Sequence, residues 1–401
     1  MIIQPMIRGN MCVNAHPAGC AAAVRSQISS VRKWRAEQGQ PKDSPKTVLV
    51  IGCSSGYGLA SRIVAAFGFG ATTIGVSFEK EGSDTLPPKN GTPGWYNNMA
   101  FDREAKASGI ESFTINSDAF SHDTRKKVIE IVKKTDKKID LVIYSVASVV
   151  RVDPDSGKLY RSVFKPIGEA LTGETIDAMT GKITPIGTDP ATDEEIFNTI
   201  KVMGGEDWAL WIDQLAKADV LSEGIKTVAY SYIGPSLSYA IYRDGTIGEA
   251  KKHLEKTAKK MDAELQASLK GRAYISVNKG VVSRLSVGIP IIALYLSVLF
   301  KVMKEKGTHE GCIEQMERLF AERLYTGGAV PTDEIGRIRI DDLEMDPKVQ
   351  EEVKKRMATI TQDSFPKIGD LEGYRHDFLV SNGFDVEGID YTADVASMES
   401  I

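Results

Sequence analysis

The chain has 401 residues, 42% apolar and 26% charged, a globular composition long enough to bury a large core and unlike that of a disordered polymer. Fifty Lys and Arg against 54 Asp and Glu give a net charge of −4, which favours solubility and leaves no basic field to hold nucleic acid. Four scattered cysteines, Cys12, Cys20, Cys53 and Cys312, form no Cys-x-x-Cys pair, which argues against zinc knuckles and a disulfide framework and fits a reducing cytoplasm.

Gln4, Pro5 and Arg8 break the apolar character of the first residues, so no export or transit signal is expected. Lys46 to Cys53 (KTVLVIGC) is a compact apolar run ending at glycines, the pattern of a parallel strand covered on both faces. Leu59 to Phe69 reads as a helix and Thr72 to Phe78 as a second buried strand, completing one βαβ unit. Further strands are expected at Ser112 to Ile115, Asp140 to Ser145, Ile225 to Tyr232 and Ala273 to Val277, with a helix at Arg125 to Lys134 among the intervening stretches. The alternation predicts an α/β fold with a doubly wound, Rossmann-type parallel sheet, whose ligand sits beyond the carboxyl ends of the strands.

The whole chain, 1–401, reads as one such domain. Residues 150–224 interrupt its rhythm with turn-rich pieces, Pro154-Asp155-Ser156-Gly157 and Thr180-Gly181-Lys182, beside short alternating stretches that predict a hairpin. They are read as an insertion forming part of the substrate-binding region. Its end, Lys201 to Trp208, can cover a substrate, or can be a Gly-Gly turn before a helix with an acidic first turn. The apolar stretch Val281 to Met303 is interrupted by Arg284, Gly288, Pro290 and Lys301, which favours a buried helix over a membrane span. Five histidines offer no His-Glu-x-x-His pair, and no metal site is expected.

Gly52-Cys53-Ser54-Ser55-Gly56-Tyr57-Gly58 follows the first strand and opens a helix, the context of a phosphate-binding loop. Gly52, Gly56 and Gly58 would supply the tight turn and the close backbone approach to a pyrophosphate. The spacing G-x-x-x-G-x-G resembles the short-chain dehydrogenase form of the loop, so a catalytic Tyr and Lys are sought. Phe78 and Glu79 close the second strand, Glu79 standing 21 residues after Gly58, where a carboxylate accepts from ribose hydroxyls and repels a 2′-phosphate. NADH is therefore preferred to NADPH, although Lys80 next door could tolerate that phosphate. Asp118-Ala119 and Val146-Ala147 fall where such folds touch adenine and the second ribose, and are equally compatible with strand-end turns.

Tyr242 and Lys251 are nine residues apart, about 900° of rotation on one continuous helix and hence on opposite faces. A cooperating pair needs a break between them. Asp244-Gly245 supplies a turn and Thr246-x-x-Glu249 a capping-box pattern, so a helix is expected to start at Thr246, with Tyr242 in the loop before it. There a nearby ammonium would lower the phenol's usual pKa of ~10.

At these residues the chain resembles the trans-2-enoyl-CoA reductases and their relatives, the Tyr-x8-Lys enoyl-acyl-carrier-protein reductases. The likeness spans nearly the whole length: Asn14-Ala15-His16-Pro17-x-Gly19-Cys20, the glycine loop, Gly94-Trp95-Tyr96-Asn97-Asn98, Lys201 to Trp208, Tyr230 to Pro235, Val277-Asn278-Lys279 and Gly373 to Phe378. It implies an extended short-chain dehydrogenase-like fold and NADH-dependent reduction of the double bond of a short trans-2-enoyl-CoA, in fatty-acid metabolism. In that reading hydride goes to the β-carbon, Tyr242 stabilises the enolate and supplies or relays a proton, Tyr232 contacts substrate, and Lys251 binds cofactor, with Lys252 a weaker candidate. Val281, Val282 and Ser283 would lie near the nicotinamide, and Ile289 to Phe300 would wall the acyl pocket. The thioester carrier, coenzyme A or carrier protein, stays open, and the resemblance leans to a monomer. Other readings are a ketone or alcohol dehydrogenase and a non-catalytic NADH-binding sensor.

Overall fold

Strand β1 (Thr47–Ile51) is buried along its whole length, and its alternate side chains enter two different cores. Val48 and Val50 pack with α1 (Pro17–Gln38), α2 (Gly56–Ile63) and α3 (Pro93–Ala107) on one face. Leu49 and Ile51 pack with α4 (His122–Thr135), α6 (Glu206–Lys217) and α8 (Thr246–Leu269) on the other. Strand periodicity of two makes this division, and each such fully buried side chain contributes roughly 2 kcal/mol. The computed structural model describes residues 1–9, 11–39, 41–86, 89–283 and 291–401.

Six more strands follow: β2 (Thr72–Ser77), β3 (Ser112–Asn116), β4 (Ile139–Tyr144), β5 (Leu221–Ser231), β6 (Arg272–Val277) and β7 (Arg337–Arg339). All pair in parallel in the order 3-2-1-4-5-6-7, the expected doubly wound sheet. The order reverses between β1 and β4, so the loops leaving those strands part there and open a crevice. The expected strands all form, with ends shifted by a few residues; edge strand β7 and the long helix α1 were not anticipated. The expected helix Leu59 to Phe69 is α2 continued by a π-helical turn, Val64–Gly68.

The stretch 150–224 holds two antiparallel hairpins, Val150–Val152 with Leu159–Arg161 and Leu171–Ile176 with Ile183–Thr188, then α5 (Asp193–Met203) and α6. Helix α6 buries Trp208, Trp211 and Leu215 against the sheet and is its β4–β5 crossover helix, while Leu221 to Gly224 already belong to β5. What departs from a simple crossover is thus the two hairpins and α5.

A third core gathers around α9 (Ile292–Glu305), which is buried almost throughout, with α10 (Pro347–Ala358) and α11 (Leu371–Val380). Of the expected helix Ile289 to Phe300, Ile289 and Pro290 lie outside the described residues, as do Arg284 and Gly288. Among the described residues no helix is long and apolar enough to cross a membrane.

Candidate active site

The loop after β1 shows why glycines stand where they do. Gly52 has φ +90°, and a Cβ there would meet the Ser145 carbonyl oxygen at 2.4 Å; a Cβ on Gly58 would meet the Gly52 oxygen at 1.8 Å. These two let the loop lie against the end of β4. Gly56, at φ +52°, differs, since a Cβ there would enter open space. It opens α2, whose first-turn N–H groups lack helical acceptors and are not capped by the Ser55 side chain. Small residues, unspent donors and the positive end of a helix fit a dinucleotide pyrophosphate.

Side chains within the loop mostly face the protein. Cys53 is fully buried beside Asn98, with its thiol pushed up by burial. Tyr57 donates its hydroxyl to the Lys279 carbonyl at 2.7 Å, tying α2 to the segment after β6. Contact from these two to a pyrophosphate would be through the backbone.

Glu79 is aimed by its neighbours. Ser54 Oγ donates to its carboxylate at 2.6 Å, and Asn116 holds its backbone on both sides, at 2.8 and 3.0 Å. A Cβ on Gly94 would meet the Glu79 carboxylate oxygen at 2.2 Å, so that glycine makes room for it. Asn97 Nδ2 donates to the Ser54 carbonyl and Asn98 Nδ2 to Ser77 Oγ, which gives the Gly94 to Asn98 block its purpose: it backs the loop and the acidic residue together. Phe78 is 76% exposed, a flat apolar ring beside Glu79. Asp118, Ala119, Val146 and Ala147 stand at the ends of β3 and β4; the Asp118 side chain accepts from the Phe120 N–H and the Ala119 carbonyl from Trp211.

Beyond β5, α7 (Tyr239–Tyr242) is a single turn that carries Tyr242 at its C-terminal end, where a loop was expected. Helix α8 does start at Thr246, with Gly245 at its N-cap; Thr246 Oγ1 donates to the Val163 carbonyl at 2.6 Å, so the expected capping box does not form. The Tyr242 ring meets that of Tyr232 edge-on, centroids 4.7 Å apart and planes at 89°. Burial pushes the Tyr242 phenol above its usual range, with Glu344 adding to the effect, and its hydroxyl has no hydrogen-bond partner among the described residues. Lys251 donates to the Tyr230 carbonyl at 3.1 Å, and burial draws its ammonium down to about 8. The expected lowering of the phenol by Lys251 is not what this arrangement produces: desolvation dominates, and the lysine is spent on β5. Lys252 is exposed and paired with Glu249 at 2.6 Å.

Val281, Val282 and Ser283 follow β6 and are half-buried. Tyr242 shares its apolar core with Ile176 of the second hairpin and with Ile292, Leu294 and Leu296 of α9, so an apolar wall adjoins the phenol. Lys201 to Trp208 forms the α5–α6 corner. Asp207 and Trp208 are buried, and a Cβ on Gly204 or Gly205 would strike His253 or Thr257 of α8. That corner is packed against α8.

Sequence reading missed the group beneath the two tyrosines, Glu344, which accepts from Tyr232 at 2.9 Å and Tyr295 at 2.7 Å. It sits in Asp341-Asp342-Leu343-Glu344-Met345-Asp346, which reads as a solvated acidic loop. The clue available was Val277-Asn278-Lys279, a polar pair at the end of a buried strand.

The family model described as "Trans-2-enoyl-CoA reductase catalytic region" matches residues 89–325, and "NAD(P)H binding domain of trans-2-enoyl-CoA reductase" matches 2–84. A third, "Enoyl reductase FAD binding domain", matches 332–395. That last segment offers no glycine-rich cradle for a flavin dinucleotide among its described residues: β7 is followed by Ile340, Asp341, Asp342, Leu343 and Glu344 rather than by glycines, and its helices pack on α9. The Treponema denticola trans-2-enoyl-CoA reductase (NADH) is 56% identical over 403 residues, 100% of both chains. The Flavobacterium psychrophilum enoyl-(acyl-carrier-protein) reductase (NADH) is 51% identical over 401 residues, 100% of this chain and 99% of that one. The crystal structure of the Treponema denticola enzyme in complex with NAD superposes with a TM-score of 0.96 over 100% of both chains. That of Clostridium acetobutulicum trans-2-enoyl-CoA reductase in complex with NADH gives 0.94 at 43% identity, over 100% of this chain and 98% of the other.

Proposed function

The chain belongs to the trans-2-enoyl-CoA reductase family, and on that premise we propose that it reduces the carbon–carbon double bond of a short trans-2-enoyl-CoA with NADH. The cofactor supplies the hydride, delivered to the β-carbon. Gly52 to Gly58 hold its pyrophosphate through backbone N–H groups, Glu79 and Phe78 take the adenosine end, and Asp118, Ala119, Val146, Ala147 and Val281 to Ser283 line the rest. Lys251 binds the ribose next to the nicotinamide once the cofactor displaces it from the Tyr230 carbonyl.

Hydride addition at the β-carbon sends charge to the thioester oxygen, and a donor aimed there lowers the barrier. The observation that carries the reading is the Tyr242 hydroxyl, held protonated by burial and without a partner among the described residues. It can donate to that oxygen and supply or relay the proton that completes reduction. The two hairpins, α5 and the wall of α9 form the acyl side of the pocket, within one catalytic domain. The same reading makes the enzyme a cytoplasmic monomer; a dimer mass in light scattering would overturn its monomeric part.

The test is NADH oxidation with crotonyl-CoA, longer enoyl-CoAs, enoyl carrier protein and a panel of ketones. Turnover is expected on crotonyl-CoA, and none on any enoyl thioester overturns the proposal. The second reading, a carrier-protein thioester, is supported by the 51% identical Flavobacterium relative. It wins if the carrier-protein substrate has the higher kcat/KM.

A further inference from the structure

Glu344 lies in the loop after β7, fully buried, and three donors converge on it. The Tyr232 and Tyr295 hydroxyls donate to Oε1 at 2.9 and 2.7 Å, and the Gly280 N–H donates to Oε2 at 2.6 Å. Gln350 Nε2 braces the loop, donating to the Glu344 carbonyl at 2.7 Å and to the Tyr295 hydroxyl at 3.2 Å. One carboxylate thus ties the ends of β5 and β6 to α9. Taking a carboxylate out of water is costly unless donors replace its hydration, and a tie of this kind does not require a charge.

A phenol has a single proton to donate. That of Tyr232 is spent on Glu344, leaving only lone pairs for a ligand. That of Tyr242 is unspent among the described residues. Two phenols in edge-on contact in one cleft therefore have different capacities, and Glu344 makes the difference.

Resting on the enoyl-thioester reduction proposed above, we propose that Glu344 is a positioning residue for that reaction. By taking the Tyr232 proton it leaves Tyr242 as the one phenol of the pair able to donate to the thioester oxygen, and it fixes Tyr232 as the wall against which Tyr242 is set. Glu344→Gln preserves shape and inverts the donors. The Gly280 N–H claims the amide oxygen, the amide NH₂ faces the two phenols, and Tyr232 must turn its proton into the cleft, where it competes with Tyr242.

The test is a double-mutant cycle of wild type, Tyr232→Phe, Glu344→Gln and the double variant, reading kcat on crotonyl-CoA and the NADH Kd by fluorescence titration. Glu344→Gln is expected to lower kcat about tenfold or more, with the NADH Kd held within about twofold. In the Tyr232→Phe background the same change should cost less than about a third of that factor. A smaller loss in the first background, a loss traced to NADH binding, or an equal loss in the second overturns the proposal.

If Glu344→Gln does not fold, the two tyrosines carry the test: Tyr232→Phe must keep at least about ten times the kcat of Tyr242→Phe, and a smaller margin overturns it. Wild-type turnover is the control. Its absence sinks the proposed reaction, whereas turnover with independent effects of the two substitutions sinks only the role of Glu344.

Discussion

The rings of Tyr232 and Tyr242 meet edge-on, 4.7 Å between centroids, and only the first of the two hydroxyls is hydrogen-bonded among the described residues. Tyr242→Phe keeps the ring, and with it a contact worth about 1 kcal/mol beyond its buried area. It removes a hydroxyl with no hydrogen-bond partner among the described residues, so thermal stability should change little. Turnover should fall by roughly 10²- to 10⁴-fold, the usual weight of a positioned acid, while NADH still binds. A variant retaining a large share of wild-type kcat would remove Tyr242 from the chemistry.

Gly56 and Gly58 stand two apart in one loop and should fail differently. Gly58→Ala places a methyl 1.8 Å from the Gly52 oxygen, a clash with backbone that cannot give way, so the expected outcome is loss of the folded loop and a large drop in melting temperature. Gly56→Ala meets open space at φ +52° and should cost only about 1 kcal/mol of conformational strain. Its methyl projects into the space assigned to the pyrophosphate, so NADH affinity should fall while the fold stands. Calorimetry and NADH titration of both variants decide this, and unaltered NADH affinity in Gly56→Ala would displace the cofactor from the loop.

The alternation of buried runs and the glycine loop made the sheet and its crevice legible, because both are local patterns: one run per strand, one turn per phosphate site. The break between Tyr242 and Lys251 was legible from the turn at Asp244-Gly245. What escaped depends on long-range packing. The expected capping box at Thr246 lost its hydroxyl to Val163, a partner 83 residues away in sequence. The expected depression of the Tyr242 phenol lost to desolvation, which no spacing rule reveals. The Asn14 to Cys20 block has a packing role that sequence did not show: His16 caps α1, and a Cβ on Gly19 would meet the Gly383 oxygen at 1.7 Å. Glu344 was hidden because an acidic loop reads as solvated until the three donors around it are seen.

Glu79 is proposed to govern the choice of cofactor through charge, and Glu79→Gln isolates that effect. The amide can still accept from Ser54 and fits the room left by Gly94. Removing one unit charge near a 2′-phosphate changes the interaction by about 1–2 kcal/mol at a partly exposed site, so the ratio of NADH to NADPH kcat/KM should fall about tenfold. An unchanged ratio would assign the discrimination to another group, with the exposed Lys80 the first to examine.

Lys251 is the group expected to set an alkaline limit on the free enzyme. Its ammonium is drawn down to about 8 by burial, with Glu255 acting weakly the other way, so below that pH it is charged and above it the charge is lost. If the charged form is needed to hold the ribose and favour a negative transition state, kcat/KM, which reports free-enzyme groups, should fall with rising pH through about 8. The Tyr242 phenol titrates above its ordinary range and cannot produce that limb. Lys251→Arg separates the assignments, because a guanidinium keeps its proton throughout the accessible range. Its residual activity, lower because the planar group fits the Tyr230 site poorly, should lose the alkaline limb. A limb that persists near pH 8 in Lys251→Arg would belong to a different residue, and would leave Lys251 as a structural tie between α8 and β5.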